Sequence, residues 1–297
     1  MTLRAERESL VAEAERIISQ GSKSFRFASR LFDQRTRERA WLLYAWCRAC
    51  DDLADGQELG HGAVAPADPE QRMALIRDTT ARALAGARTG LAAFDALAVV
   101  VVECGIPRRL IDDHIEGFAL DAAGWRPRDQ DDLLLYCYRV AGAVGCMMAV
   151  VMGVPAKDEE TLRRASDLGI AFQLANIARD LVEDHKVGRI YLPERWLAEA
   201  GLSAETLSAP EHRGALAGLA RRLSTLAQDY EASARIGARQ LPPRSRWAVL
   251  SAANIYGDIA RRVVARGASA WDSRTVVGKP AKLRHVGNAL VATLRRA

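Results

Sequence analysis

Helical periodicity extends along almost the whole 297-residue chain. Apolar residues recur three and four positions apart, and no segment has the strict alternation of apolar and polar residues that indicates a half-buried strand. Glycine and proline lie between the periodic segments, where helices are expected to end and begin. The pattern therefore predicts an all-α protein. Its predicted helices cover residues 4–20, 36–55, 70–86, 90–104, 108–123, 130–153, 158–185, 211–239 and 243–267, and residues 22–25 are predicted to form a short polar turn.

The chain shows no division into separate folding units. No linker rich in glycine and serine interrupts it, and no long run of like charges does so either. A chain of this kind is most simply explained by one set of helices packed around one core. The sequence therefore predicts a single domain over residues 1–297, which ends in a basic segment over residues 279–297.

Composition limits the classes of partner. Hydrophobic residues make up 49% of the chain and charged residues 27%, as in ordinary soluble proteins. The net charge of +5 suits an anionic ligand or an anionic membrane surface, and it is too small to indicate nucleic acid. The first 16 residues lack the apolar core of a signal peptide, and the longest uncharged run, residues 140–156, is shorter than the roughly 20 residues that span a bilayer. We therefore expect a cytoplasmic protein without a membrane span.

One polar stripe carries much of the predicted chemistry. Gln173, Asn176, Asp180 and Asp184 occupy positions i, i+3, i+7 and i+11 of a predicted helix, so they share one face. Two carboxylates four residues apart on a helix repel each other unless a cation lies between them. Hard oxygen ligands in this arrangement suit Mg²⁺, which binds one or two carboxylates together with substrate phosphates.

A second polar stripe precedes Gly56. Tyr44, Arg48, Asp51 and Asp55 again occupy positions i, i+4, i+7 and i+11, and Arg48 can neutralise a carboxylate or reach a diphosphate. One such aspartate pair alone is usually a solvated helix face. Here both helices have a strongly apolar flank, and buried charges are costly unless they are paired or bound to metal. If the two helices face each other, four carboxylates surround a cavity that would bind two or three Mg²⁺ ions and a phosphate ester.

Two other segments each allow two interpretations. Small residues over 136–145 stand where packing normally favours leucine, and they permit either close contact between helices or room for a long apolar chain with Tyr136 at its rim. In the C-terminal segment, apolar residues lie on one face of a predicted helix. That helix either packs against the rest of the protein or contacts a membrane surface. The apolar residues of this face are Leu283, Val286, Leu290 and Leu294.

The motifs in these segments resemble those of the squalene and phytoene synthase family of head-to-head prenyl synthases, and most closely those of its bacterial phytoene synthases. The resemblance covers nearly the whole chain, and two aspartate-rich motifs followed by Arg-Ile-Tyr-Leu-Pro make it specific. The segments that carry it are Gly21–Phe25, Tyr44–Asp55, Glu116–Asp121, Tyr136–Gly142, Asn176–Asp184 and Gly188–Pro193.

The resemblance implies the isoprenoid synthase fold, with helices around a central cavity, and it implies roles for individual residues. Metal binding is implied for Asp51, Asp55, Asn176, Asp180 and Asp184, with Gln173 beside Asn176. Diphosphate binding is implied for Lys23, Arg48 and Arg189, and a place in the cavity wall near a carbocation is implied for Phe25, Tyr44, Tyr136 and Tyr256.

The resemblance also implies a reaction. Two geranylgeranyl diphosphates would be joined head-to-head through prephytoene diphosphate to 15-cis-phytoene, the first committed step of carotenoid biosynthesis, with Mg²⁺ or Mn²⁺ as cofactor. No dinucleotide fingerprint or P-loop is present, so no nucleotide cofactor is expected. Peripheral membrane contact is expected because the substrate tails and the product are insoluble in water. The alternatives are an enzyme that uses C15 diphosphates to make presqualene diphosphate, squalene or dehydrosqualene, and a helical scaffold without catalysis.

Overall fold

A computed structural model of the chain describes residues 3–21, 23–56 and 68–295, and it describes the side chains of residues 4–21, 26–56 and 68–295. Within these ranges the chain forms thirteen α-helices and no strand. The helices are α1 Leu3–Gly21, α2 Lys23–Ser29, α3 Gln34–Ala54, α4 Pro69–Leu84, α5 Ala92–Cys104, α6 Arg108–Ala122, α7 Gln130–Cys137, α8 Ala143–Val151, α9 Glu159–Lys186, α10 Glu194–Glu199, α11 Arg213–Gly237, α12 Pro243–Arg266 and α13 Lys279–Leu294.

The predicted helices are all present, and two short helices were missed. Helix α2 begins at Lys23, where the sequence predicted a polar turn, and α10 follows the loop that ends at Pro193. The two helices have only seven and six residues, which is too short for helical periodicity to be recognised. Helix α10 is held in place because Trp196 and Leu197 are buried.

The predicted helix over residues 130–153 contains a wider turn. A π-helical segment, Tyr138–Gly142, joins α7 to α8, and the N–H of Ala143 donates to the carbonyl oxygen of Tyr138. The continuous stretch Gln130–Val151 has 22 residues and is long and apolar enough to cross a membrane, but half of its most apolar window is buried inside the protein. It packs against α6 and α9, so core packing accounts for its apolar composition.

Two large apolar clusters surround the longest helix, α9. The first cluster combines side chains of α1, α3, α4, α5, α6 and α8. The second combines side chains of α7, α9, α10 and α11. Helices α9 and α12 contribute to both clusters. The last turns of α3 and α9, which carry the two predicted polar stripes, therefore belong to helices fixed along their length by buried side chains.

Helices α8 and α9 lie so close together that their backbones touch. A Cβ atom on Gly169 of α9 would clash with the carbonyl oxygen of Ala141, and one on Gly145 of α8 would clash with the carbonyl oxygen of Ala165. Neither neighbouring group is the end of a flexible side chain, so neither can move aside cheaply. The close helix contact that the small residues over 136–145 permitted is therefore present.

Helix α13 packs on α12, but not through its leucines. Its buried residues are His285, Ala289 and Thr293. The indole N–H of Trp247 donates to the carbonyl oxygen of Val286 at 2.9 Å, and the Asn254 amide donates to that of His285 at 3.0 Å. The predicted apolar face does not form this contact, because Leu283, Leu290 and Leu294 are exposed and Val286 is only partly buried.

A histidine lies deep in the bundle. His114 of α6 is 4% exposed, and its ring packs edge-on against Trp46 and Phe118. Its Nδ1 atom lies 3.2 Å from the carbonyl oxygen of Arg139. Burial lowers the pKa of the imidazole to about 4, while the hydrogen bond to Arg139 acts in the opposite direction. The neutral ring is therefore the form that the folded protein accommodates.

Replacing the α9 glycine should destabilise the protein. We expect Gly169→Ala to lower the free energy of unfolding by about 1–3 kcal/mol, because the added methyl group forces two helix backbones apart. Gly218→Ala on α11 is the matched control: a Cβ there meets open space, so alanine should raise the free energy of unfolding by roughly 0.5–1 kcal/mol. Urea denaturation of both variants and the wild type provides the comparison. Equal midpoints for Gly169→Ala and the wild type would contradict the close contact.

Acid should destabilise the protein partly by protonating His114. Because its folded-state pKa lies below the value of about 6.5 in an unfolded chain, its contribution to stability is complete above pH 6.5 and is lost as the pH falls towards 4. The loss amounts to roughly 3 kcal/mol for a shift of this size. His114→Asn keeps a hydrogen-bond donor without a titrating ring, so its free energy of unfolding should fall less steeply between pH 6.5 and 4. An unchanged slope in urea denaturation would contradict this assignment.

Candidate active site

The polar stripes meet at a cavity of about 1230 Å³. Sites for single small molecules usually occupy about 300–1,000 Å³, so this cavity is large. Every predicted site residue whose side chain the structure describes lines it. These residues are Tyr44, Arg48, Asp51, Asp55, Tyr136, Gln173, Asn176, Asp180, Asp184, Arg189 and Tyr256. The side chains of Lys23 and Phe25 lie outside the described residues, and their assignments remain predictions.

The four aspartates form two repelling pairs. Burial, and next the neighbouring Asp55, raises the pKa of Asp51 to about 6, and nearby arginines oppose that shift. Burial, and next the neighbouring Asp180, raises the pKa of Asp184 to about 7. Each pair therefore favours the uptake of positive charge, either as a proton or as a cation.

Arg189 joins the two acidic stripes. Helix α9 ends in a turn where Gly188 has a φ of +80°, and the N–H of Arg189 donates to the carbonyl oxygen of Asp184 at 2.9 Å. This closed helix end, which needs glycine for its left-handed residue, turns the chain back towards the stripe. The Arg189 guanidinium then forms an ion pair with Asp55 at the end of α3. Because both stripes line the same cavity and Arg189 reaches from the end of α9 to Asp55, the predicted stripes do face each other.

Two further arginines reach the second stripe, and sequence reasoning missed both. The Nε atom of Arg179 donates to Asp180 at 2.8 Å. Arg274, which follows α12, donates to Asp180 at 3.3 Å and to Glu183 at 2.7 Å. Adjacent residues on a helix point about 100° apart, so the stripe argument placed Arg179 on another face. Arg274 is 94 residues away in the chain and has no spacing signal at all.

Arg48 has the predicted position within the first stripe. Its guanidinium donates to Asp51 at 3.0 Å and forms an ion pair with Asp52 one residue further on. Guanidinium groups bind carboxylates and phosphates with the same paired N–H donors. Arginines that balance the aspartates in this way carry the donors that a phosphate group also requires.

A further acidic residue, outside both stripes, was missed as a site residue. Asp121 of α6 accepts hydrogen bonds from the hydroxyl groups of Tyr136, at 3.0 and 3.1 Å, and Tyr191, at 2.9 Å. Burial raises the pKa of Asp121, and the two tyrosine donors oppose the rise. The Tyr136 ring is stacked between those of Trp125 and Tyr191. The sequence analysis recognised the Glu116–Asp121 motif, but the spacing within it did not predict which side chains would contact Asp121.

The carboxylate and amide oxygens at the cavity suit a metal ion that is bound together with a substrate. Within the described parts of the chain, no group of three or more His, Cys, Asp or Glu side chains converges closely enough to form a metal site by itself. Mg²⁺ does not require such a cage, because it commonly binds one or two carboxylates and takes further oxygens from phosphate and water. The aspartate pairs and the amide oxygen of Asn176 supply oxygen donors of this type beside the cavity.

The remaining wall of the cavity is largely apolar. Val144 and Met148 of α8 line it, and the Phe172 ring lies flat against Tyr256 with 4.1 Å between centroids. Gly145 lines the cavity and also touches α9. The small residues over 136–145 therefore allow the helices to meet and also line the cavity, while the apolar chain that this space would hold stays a prediction.

Comparisons with known proteins agree with this architecture. Residues 18–281 match the squalene/phytoene synthase family. The chain is 46% identical to the phytoene synthase of Pseudescherichia vulneris over 92% of this chain and 89% of that protein. It is also 46% identical to the 15-cis-phytoene synthase of Pantoea ananas over 97% of this chain and 94% of that protein.

The solved structures agree as well. A crystal structure of a dehydrosqualene synthase in complex with ligand superposes with a TM-score of 0.86 at 26% identity and covers 99% of both chains. A squalene synthase from Alicyclobacillus acidocaldarius superposes with a TM-score of 0.78 at 23% identity over 89% of this chain and 96% of that chain. The predicted all-α isoprenoid synthase fold is therefore confirmed, and the chain belongs to the squalene/phytoene synthase family.

Proposed function

We propose that the protein is a 15-cis-phytoene synthase, a prenyltransferase that joins two geranylgeranyl diphosphates head-to-head through prephytoene diphosphate. This reaction is the first committed step of carotenoid biosynthesis. Relatives that carry this name are 46 and 47% identical over most of the chain. The observation that carries the proposal is the cavity itself, which has two opposed acidic stripes at one part of its wall and apolar side chains over much of the rest.

The polar part of the wall fits the diphosphate groups. Arg48 and Arg189 already pair with carboxylates of the first stripe, and Arg179 and Arg274 pair with Asp180 of the second. When cations neutralise the aspartates, these guanidinium groups become available to the phosphate oxygens. Each stripe would then hold one diphosphate, which a reaction between two such substrates requires.

We propose Mg²⁺ as the cofactor, with Mn²⁺ as a substitute. Asp51, Asp55, Asn176, Asp180 and Asp184 would hold it, with Gln173 beside Asn176. A bound divalent ion neutralises the charge that develops on a departing diphosphate. The chain's own residues would then protect the carbocation. The ring faces of Tyr44 and Tyr256 can stabilise it without bonding to it, and the apolar wall excludes water. Tyr136 would line the cavity without offering a free ring face, because Trp125 and Tyr191 stack on it.

The alternative is an enzyme that uses C15 diphosphates. The structural neighbour that supports it is named a dehydrosqualene synthase and is 26% identical to the chain. Relatives named phytoene synthase are far more similar, at 46%. A scaffold without catalysis would not need the acidic stripes, and here all four aspartates line the cavity. Geranylgeranyl diphosphate is therefore the substrate we propose.

Incubation with substrates of two lengths tests the proposal. We expect purified protein with Mg²⁺ to convert geranylgeranyl diphosphate to phytoene, and to convert farnesyl diphosphate to C30 products at least about tenfold more slowly, because chain length changes the apolar contact along the cavity wall. Chromatography of the extracted products provides the measurement. Exclusive use of farnesyl diphosphate would establish the C15 alternative instead.

Removing one carboxylate from either stripe should separate activity from stability. We expect Asp51→Asn and Asp184→Asn each to lower turnover at least roughly a hundredfold, because a carboxylate that would hold the metal ion beside the leaving group is lost. The urea midpoint should stay the same or rise, since one of two repelling, partly buried charges is removed. Asp78→Asn, on the exposed surface of α4, is the matched control with wild-type turnover.

Removal of metal ions with EDTA tests whether the wild-type protein requires a metal for turnover. Turnover should disappear in EDTA and return with Mg²⁺ or Mn²⁺. Near-normal turnover in either stripe variant, or in EDTA, would contradict the assigned role of the aspartates.

A further inference from the structure

The outer face of α13 exposes a stripe of large apolar side chains. Leu283 and Leu294 are each 63% exposed, Val291 is 47% exposed and Leu290 is 37% exposed. On a helix these four residues fall within about a quarter of the circumference. Single exposed apolar residues are normal on protein surfaces, but a continuous apolar stripe indicates a binding surface.

This stripe does not attach α13 to the protein. The opposite face does so, through the buried side chains of His285, Ala289 and Thr293. The His285 imidazole also lies 2.9 Å from Asp258 of α12, which adds a polar contact to the two hydrogen bonds that Trp247 and Asn254 donate. The helix therefore has a buried face and, nearly opposite to it, an apolar face, and only the buried face has a partner within the described protein.

Basic side chains border the exposed stripe. Residues 273–297 contain no aspartate or glutamate. Arg284 and Arg295 lie along one border of the stripe and Lys279 along the other, and all three are exposed. The basic residues of this part of the sequence are Arg274, Lys279, Lys282, Arg284, Arg295 and Arg296. An apolar stripe with basic borders is the pattern of helices that lie in a membrane interface.

We propose that the outer face of α13 binds an anionic lipid bilayer, with the helix axis parallel to the membrane. Leu283, Leu290, Val291 and Leu294 enter the boundary between headgroups and acyl chains. Lys279, Arg284 and Arg295 bind the anionic headgroups, which attract basic residues near the membrane surface. A second copy of the protein fits this face less well, because a symmetric pair would place one basic border against another without a single acidic side chain from this segment.

The position of α13 connects this surface to the cavity. Helix α13 packs on α12, and α12 supplies Val249, Ala252 and Tyr256 to the cavity wall. A bilayer bound to α13 therefore lies one helix away from the site of the reaction. The inference deepens the proposed function, because both substrate tails and the product of that reaction belong in lipid. It can nevertheless be tested without turnover.

Vesicle flotation with the full-length protein tests the apolar part of the surface. The probes are vesicles of phosphatidylcholine with about 30% phosphatidylglycerol, and vesicles of phosphatidylcholine alone. We expect the wild type to float with the anionic vesicles, and Leu283→Gln/Leu294→Gln to bind them at least about tenfold more weakly. Val102→Gln/Val187→Gln is the matched control: it removes two exposed valines, on α5 and after α9, and should bind as the wild type does.

A second pair of variants tests the charged borders. Lys279→Gln/Arg284→Gln should weaken binding to the anionic vesicles and reduce its dependence on salt, because fewer headgroup charges are neutralised. Arg126→Gln/Arg221→Gln removes the same charge from exposed positions on other parts of the surface and should leave binding unchanged. Circular dichroism should show wild-type helix content in all four variants, since every changed side chain is exposed.

Three results would overturn the proposal. The first is equal binding of Leu283→Gln/Leu294→Gln and the wild type. The second is equal binding of the wild type to vesicles with and without phosphatidylglycerol. The third is a wild-type dimer that Leu283→Gln/Leu294→Gln dissociates, without any binding to vesicles. If the proposed function is wrong and the membrane proposal is right, the result differs: the wild type would bind the anionic vesicles but convert neither diphosphate substrate.

Discussion

Repulsion between partly buried carboxylates is the interaction on which the rest of this structure depends. Asp51 and Asp55 end one helix, and Asp180 and Asp184 lie near the end of another, beside a cavity with a largely apolar wall. Burial and the neighbouring carboxylate raise the pKa values of Asp51 and Asp184, so each pair favours a bound positive charge. The arginines around the site reduce the repulsion. Arg48, Arg179, Arg189 and Arg274 hold three of the four aspartates in ion pairs.

Much of this site could be predicted from the sequence because it is regular. A helix repeats every 3.6 residues, so the spacing of Asp51 and Asp55, and of Asp180 and Asp184, was enough to place each pair on one face. The apolar flanks of both helices predicted that the stripes face inward. Spacing could not predict contacts between residues that are far apart in the chain. The contact of Arg274 with Asp180 in the second stripe is one of these, because only tertiary packing brings the two residues together.

The same limit of sequence patterns explains where the predicted helices and the observed fold differ. Helices of six or seven residues, such as α2 and α10, offer too few positions for a period to be detected. In α13 the sequence left open which face packs on the protein. Its sequence has apolar residues on more than one side, and hydrogen bonds from Trp247 and Asn254 select the side of His285, although leucines would have been the obvious choice for the core.

The π-helical segment Tyr138–Gly142 has a consequence for how this cavity can change. One additional residue in a turn rotates everything after it by about 100° relative to an uninterrupted α-helix. The orientation of Val144, Gly145 and Met148 towards the cavity therefore depends on the length of the chain in this turn as well as on the residues themselves. A single-residue deletion here would turn the wall of α8 by more than a quarter of a circle. Chain length in one turn is thus a separate means of reshaping the space for a substrate, and no substitution reproduces it.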